Sequence, residues 1–164
     1  MSDTTQISGT TQILETSAAE RDVDRYTIIS SDCHAGADMY AYRNYLESRY
    51  HDEFDAWARS YDNPFSDLTG PDADRNYNHD RRLQELEADG IVAEVLYPNT
   101  IPPFFPSSSL VATPPTKAEF EHRWAGLRAH NRWLAEFCAR APARRAGIAQ
   151  ILLNDVDAAV REIR

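Results

Sequence analysis

Asp32 and His34 stand two residues apart in IISSDCHAG, at the end of the β-branched and aromatic run YTIISS that begins at Tyr26. A carboxylate and an imidazole are both ligands of zinc, iron or manganese, and side chains at i and i+2 of an extended chain point to the same face. Both groups would aim at one spot while Cys33 turns into the wall behind them. A structural reading competes, because an Asp after a strand often caps a turn and a lone His often satisfies a local hydrogen bond. A three-residue pattern does not decide between them. The other histidines, His51, His79, His122 and His130, show no HxH or HExxH spacing with one another; His79 reads as part of a helix start and the rest as helix-surface or packing residues.

The elements that must position this pair follow from periodicity. YTIISS predicts strand one, with the polar cluster Asp32, Cys33, His34, Ala35, Gly36 after it. Residues 38–60 repeat Tyr42, Tyr45, Leu46, Phe54 and Trp57 at helical spacing, which predicts one or two short helices. YDNPFSDLTGPDADRNYN then reads as an irregular loop. Asn78 can cap a helix over His79 to Asp89 that stops at Gly90, and IVAEVLYP follows as strand two. After the loop NTIPPFFPSSSLVATPP, Thr116 can cap a long amphipathic helix to about Ala141, limited by Pro142. RRAGIAQILLN reads as strand three, and DVDAAVREIR opens a helix with Asp155 near its positive end.

Strands separated by helical crossovers predict parallel pairing, in an open sheet or an eight-stranded barrel. No GxGxxG or GxxxxGK[ST] follows a strand, which removes the usual nucleotide-binding readings of an open sheet. A complete barrel takes about 250 residues, so the expectation is an N-terminal part of one. Tyr97 and Asn99 at the end of strand two, and Asn154 after strand three, occupy positions from which barrel enzymes touch substrate, although turn formation and helix capping explain them as well. Phe104, Phe105 and Pro106 read as a lid or as an exposed apolar loop. Trp57, Trp124 and Trp133 read as core. Arg144 and Arg145 precede strand three, at the end away from the active site, which argues against a substrate carboxylate clamp there.

The 164 residues are 42% hydrophobic and 26% charged, the make-up of one soluble globular domain. Residues 1–24 are rich in Ser, Thr, Asp and Glu without periodicity and predict a flexible tail, with residues 25–164 forming the folded part. The formal charge of −9 argues against nucleic acid as a partner. No basic, apolar leader and no run of about 20 apolar residues is present, so the expectation is a cytoplasmic protein that spans no membrane. Cys33 and Cys138 are too few for a disulfide framework and are expected as thiols.

The ordered set IISSDCHAG with YRNYLESRY, then DRRLQELEADGIVAEVLYPN, then HNRWLAEFCARAPARRAGIAQILLNDVDAAVREIR resembles the amidohydrolase-related family that includes aminocarboxymuconate semialdehyde decarboxylase. The resemblance covers Tyr26 to Arg164. It implies an α/β fold, a partial (β/α)₈ barrel comprising about the first three β/α units with a long helical insertion after strand one. It also implies a metal-dependent enzyme that hydrolyses C–N or C–O bonds, or removes carbon dioxide without an oxidant, from a small organic substrate. The metal roles fall on Asp32 and His34, with Zn²⁺ expected and Mn²⁺ or Fe²⁺ as alternatives. The family more commonly has His where Asp32 stands, and Asp occurs there in decarboxylase-like branches. Its remaining ligands, a His and an Asp from later strands, and its catalytic His would lie beyond Arg164, so the catalytic residues are unknown here and the 164 residues alone are expected to be inactive. A reading of another class is a non-catalytic half-barrel that associates with a partner chain or with itself as a homo-oligomer, since strand edges invite added strands.

Overall fold

The computed structural model describes residues 26–63, 65–99, 101–106 and 112–164. The tail expected over residues 1–24 lies outside them, as does part of the loop after strand two. Three parallel strands, β1 (Ile28–Ala35), β2 (Ile91–Pro98) and β3 (Arg145–Gly147), form one sheet in the order β1-β2-β3. Helices α1 (His51–Ser60) and α2 (His79–Ala88) lie between β1 and β2, α3 (Phe120–Ala139) between β2 and β3, and α4 (Val156–Ile163) after β3. The region before α1 is shorter in regular helix than its spacing predicts, consisting of 3₁₀ turns at Met39–Asn44 and Ser48–Tyr50.

Local chemistry sets the boundaries. The Asn78 side chain accepts from the Arg81 N–H at 3.1 Å and starts α2, and Gly90, at φ 71°, supplies the left-handed residue that turns the chain into β2. Before α3 the Glu119 carboxylate accepts from both the N–H and the hydroxyl of Thr116, at 2.9 and 2.8 Å, the returning half of a capping box. Asp155 accepts from the Ala158 N–H at 2.8 Å and opens α4.

One face of the sheet is covered. Ala35, Leu96, Tyr42, Phe54, Ala129, Trp133 and Phe137 bury together between the strands, the β1–α2 insertion and α3. A second cluster joins Ile101, Phe105, Trp124 and Leu127. The tight point between α3 and the loop after β2 is Gly126: a methyl group there would sit 2.0 Å from the Pro103 carbonyl oxygen. That neighbour is backbone and cannot rotate away, so Gly126→Ala is expected to cost about 2–3 kcal/mol through overpacking, measured by urea unfolding.

The strand expected over RRAGIAQILLN pairs only at Arg145–Gly147. The reason is Asn131 on α3, whose amide takes both backbone groups of Gln150, accepting from its N–H at 2.9 Å and donating to its carbonyl at 2.8 Å, so these groups leave the ladder. The segment Phe104–Pro106 is not an exposed apolar loop. Phe105 is 3% exposed, and Phe104, at φ 68°, sets its ring edge-on to Phe54 and His122. Trp124 and Trp133 are buried as expected.

Candidate metal centre

Asp32 and His34 lie within β1 rather than after it, and both side chains are exposed while Cys33 between them is half-buried. Their direction depends on an irregularity in the strand. Ile29 pairs with Ala93 and His34 with Tyr97. Ala93 and Tyr97 are four residues apart and share a face, but Ile29 and His34 are five apart and in a regular strand would not. The register shifts between Ser30 and Cys33, adding one residue on β1. This β-bulge restores the match and turns His34 to the same side as Tyr97. It also brings Ser30 and Cys33 to one side, where the thiol lies 3.0 Å from the Ser30 hydroxyl. Bulges of this kind re-aim side chains beside functional sites.

The pair therefore stands toward the C-terminal end of a parallel strand, on the face left open by the helices. The His34 and Tyr97 ring centroids are 6.0 Å apart, and the tyrosine is 39% exposed. Ile29 and Ile148 are also exposed, although parallel sheets are ordinarily covered on both faces. A carboxylate and an imidazole are suitable donors for a divalent ion, but catalytic sites usually supply three protein ligands. Among the described residues no group of three or more His, Cys, Asp or Glu stands together. The pair fits part of a coordination shell.

Asn99 is placed differently. Its side-chain amide donates to the Asn76 side-chain oxygen, its backbone N–H donates to the Ala35 carbonyl at 3.0 Å, and the Asn76 carbonyl accepts from the Gly36 N–H at 3.2 Å. Asn99 thus ties the ends of β1 and β2 to the insertion. Asn154 is exposed just before the Asp155 cap.

Sequence reasoning missed the buried charges on the opposite, helix-covered face. Glu94 of β2 and Arg145 of β3 pair at 2.9 Å with both side chains fully buried, and Arg82 of α2 reaches the same carboxylate at 2.8 Å. Burial alone would raise the Glu94 pKa; the two guanidinium groups outweigh it and hold the carboxyl below its usual range. Arg145 also points Nη1 at His79 Nδ1, 2.8 Å away. A guanidinium has only donors, so Nδ1 accepts and the His79 ring is neutral. Burial, Arg140 and Arg145 lower its pKa accordingly. His130 on α3 is wholly buried, 2.8 Å from the Tyr42 hydroxyl, and burial lowers its pKa to about 4. A glutamate inside the apolar run IVAEVLYP was the available signal, since a buried acid there requires a partner.

No family model matches the chain, and no curated protein matches it. Solved structures are similar to it. A 2,6-dihydroxybenzoate decarboxylase complexed with 2,6-dihydroxybenzoate aligns at 23% identity and TM-score 0.43 over 84% of this chain and 34% of its own. A 2,6-dihydroxybenzoate decarboxylase from Rhizobium aligns at 23% identity and TM-score 0.44, over 84% and 33%. A dihydroxybenzoic acid decarboxylase from a Polaromonas species, with bound manganese and the inhibitor 2-nitroresorcinol, aligns at 20% identity and TM-score 0.44, over 84% and 33%. The chain spans about a third of the length of these structures. Among the described residues no helix is long and apolar enough to cross a membrane.

Proposed function

We propose that the chain is the N-terminal part of an amidohydrolase-type (β/α)₈ barrel, a metal-dependent hydrolase or carboxy-lyase acting on a small organic substrate, in which Asp32 and His34 are two of the metal ligands. The observation that supports this reading is the bulge in β1, after which His34 pairs with Tyr97 toward the C-terminal end of a parallel sheet, with Asp32 exposed two residues before it, at the strand ends where barrel enzymes place their chemistry. A divalent ion held there, Zn²⁺ or alternatively Mn²⁺ or Fe²⁺, supplies an activated water or steadies charge on substrate oxygens. Asp32 contributes a carboxylate oxygen and His34 one ring nitrogen. Tyr97 walls the imidazole on the β2 side and would meet a substrate bound to the ion, and Asn99 keeps the strand ends in register at the same rim. Further donors must come from outside this pair.

A structural role and a ligand role separate by stability. Asp32 and His34 are exposed, so Asp32→Ala combined with His34→Ala is expected to change the unfolding free energy by no more than about 0.5 kcal/mol. A loss well above 1 kcal/mol in urea unfolding would assign the residues to turn capping or local hydrogen bonding instead.

A second reading is favoured by one specific feature. Ile29 at 56% and Ile148 at 41% exposure leave apolar surface on the open sheet face. A non-catalytic half-barrel that covers this face with a partner chain or a second copy would bury the same residues. Metal-independent, concentration-dependent association in sedimentation favours that reading.

A further inference from the structure

A pocket of about 570 Å³ opens in the insertion between β1 and α2, beginning at Ala37, three residues past His34. Its volume falls in the range of small-molecule sites. Tyr40, Tyr61 and Tyr77 line it together with Asp38 and Asp62, and none of its described lining residues is Lys, Arg or His. The carboxylates are not neutralised. Asp38 accepts from the backbone N–H of Tyr40 at 3.0 Å, and among the described residues Asp38 has no ion pair and Asp62 has neither hydrogen bond nor ion pair. The next pocket along the surface differs in this respect: its Arg75 and Arg82 are paired with Glu85 and Glu94.

We infer that this pocket binds an organic ammonium ion, with the tyrosine rings packing around its methyl or methylene groups and the carboxylates of Asp38 and Asp62 meeting its charge. Aromatic rings attract such cations through their negative faces, and recognition of quaternary ammonium groups by aromatic cages is a recurrent use of that attraction. Free carboxylates add to the effect and oppose an anionic ligand. Burial first, and then Asp62 beside Tyr61 and Asp38 near Tyr77, raises the pKa of both phenols. This pocket contains neither Asp32 nor His34, and its ammonium site does not depend on whether they bind an ion.

The test uses the whole chain and choline as the probe, followed through the ring resonances of the tyrosines. Neohexanol serves as the uncharged isostere and benzoate as the anionic control. The expected result is saturable shifts at Tyr40, Tyr61 and Tyr77 with choline, binding of neohexanol at least about fivefold weaker, and no benzoate binding. Asp62→Asn, an exposed substitution expected to leave the circular dichroism unchanged, is expected to weaken choline about fivefold, and Asp38→Asn provides the same reading at the other carboxylate. Equal binding of choline and neohexanol, tighter binding of benzoate, no saturable shift at these tyrosines, or indifference of choline to both substitutions would each overturn the assignment.

Discussion

Glu94→Ala is expected to lower the unfolding free energy by about 3–5 kcal/mol, because it leaves a buried guanidinium without its carboxylate. Arg145 has no exposed side-chain surface, and its guanidinium lies 4.0 Å over the Phe137 ring, under α3 and away from water. Arg82 is 13% exposed and can turn its head group outward, so the cost falls mainly on Arg145. The pair is expected to be expendable as a pair: Glu94→Leu with Arg145→Met removes both charges and should recover most of the loss, since apolar groups of similar volume often replace a buried ion pair without penalty. Urea unfolding of the single and double variants measures both numbers. A double variant as unstable as the single one would mean that shape, not charge, is what Glu94 contributes. The pH dependence has a defined sign. The folded-state pKa of Glu94 is lowered, so its contribution is present above the usual carboxylate value and is lost as the pH falls through the folded value.

His130 produces the second large effect, and it acts at milder pH. Buried beside Tyr42, its imidazole takes up a proton only near pH 4 in the folded chain, against 6.5 for an unperturbed ring. Between those values the unfolded chain binds the proton and the folded chain does not, so stability is full above about pH 6.5 and falls as the pH drops. At about 1.4 kcal/mol per unit, the loss by pH 4 is roughly 3 kcal/mol. His79, whose pKa is also lowered, works in the same direction. Unfolding free energies at pH 7, 5.5 and 4 should show the decline, and His130→Gln, although less stable at pH 7, should show a slope reduced by at least half. An unchanged slope in that variant would assign the titration to other groups.

Much of the chain was legible from local signals. IVAEVLYP is β2 from Ile91 to Pro98, Asn78 and Gly90 bound α2 through a side-chain cap and a left-handed turn, and Asp155 caps α4. These features depend on residues within a few positions of one another, and so a sequence displays them. What was not legible depends on partners far along the chain. β3 ends early because Asn131, 19 residues before Gln150, captures its backbone. Glu94 is tolerated in a strand because Arg145 arrives 51 residues later. The candidate site shows the same division. The spacing of Asp32 and His34 placed them on one face, but which face they share with β2 is set by the bulge, and a bulge is a property of pairing between strands. Tyr97 came to His34 through that register, whereas Asn99 was drawn to Asn76 in the insertion.

A titration with Mn²⁺, with the side-chain resonances of the five histidines followed, tests a metal site on Asp32 and His34. Paramagnetic broadening reports even the weak binding expected of two ligands. His34 is expected to broaden first, ahead of His51, His79, His122 and His130, and Asp32→Asn is expected to reduce the effect sharply. Broadening that begins at another histidine, or that persists at His34 undiminished in Asp32→Asn, would contradict a metal site built on this pair.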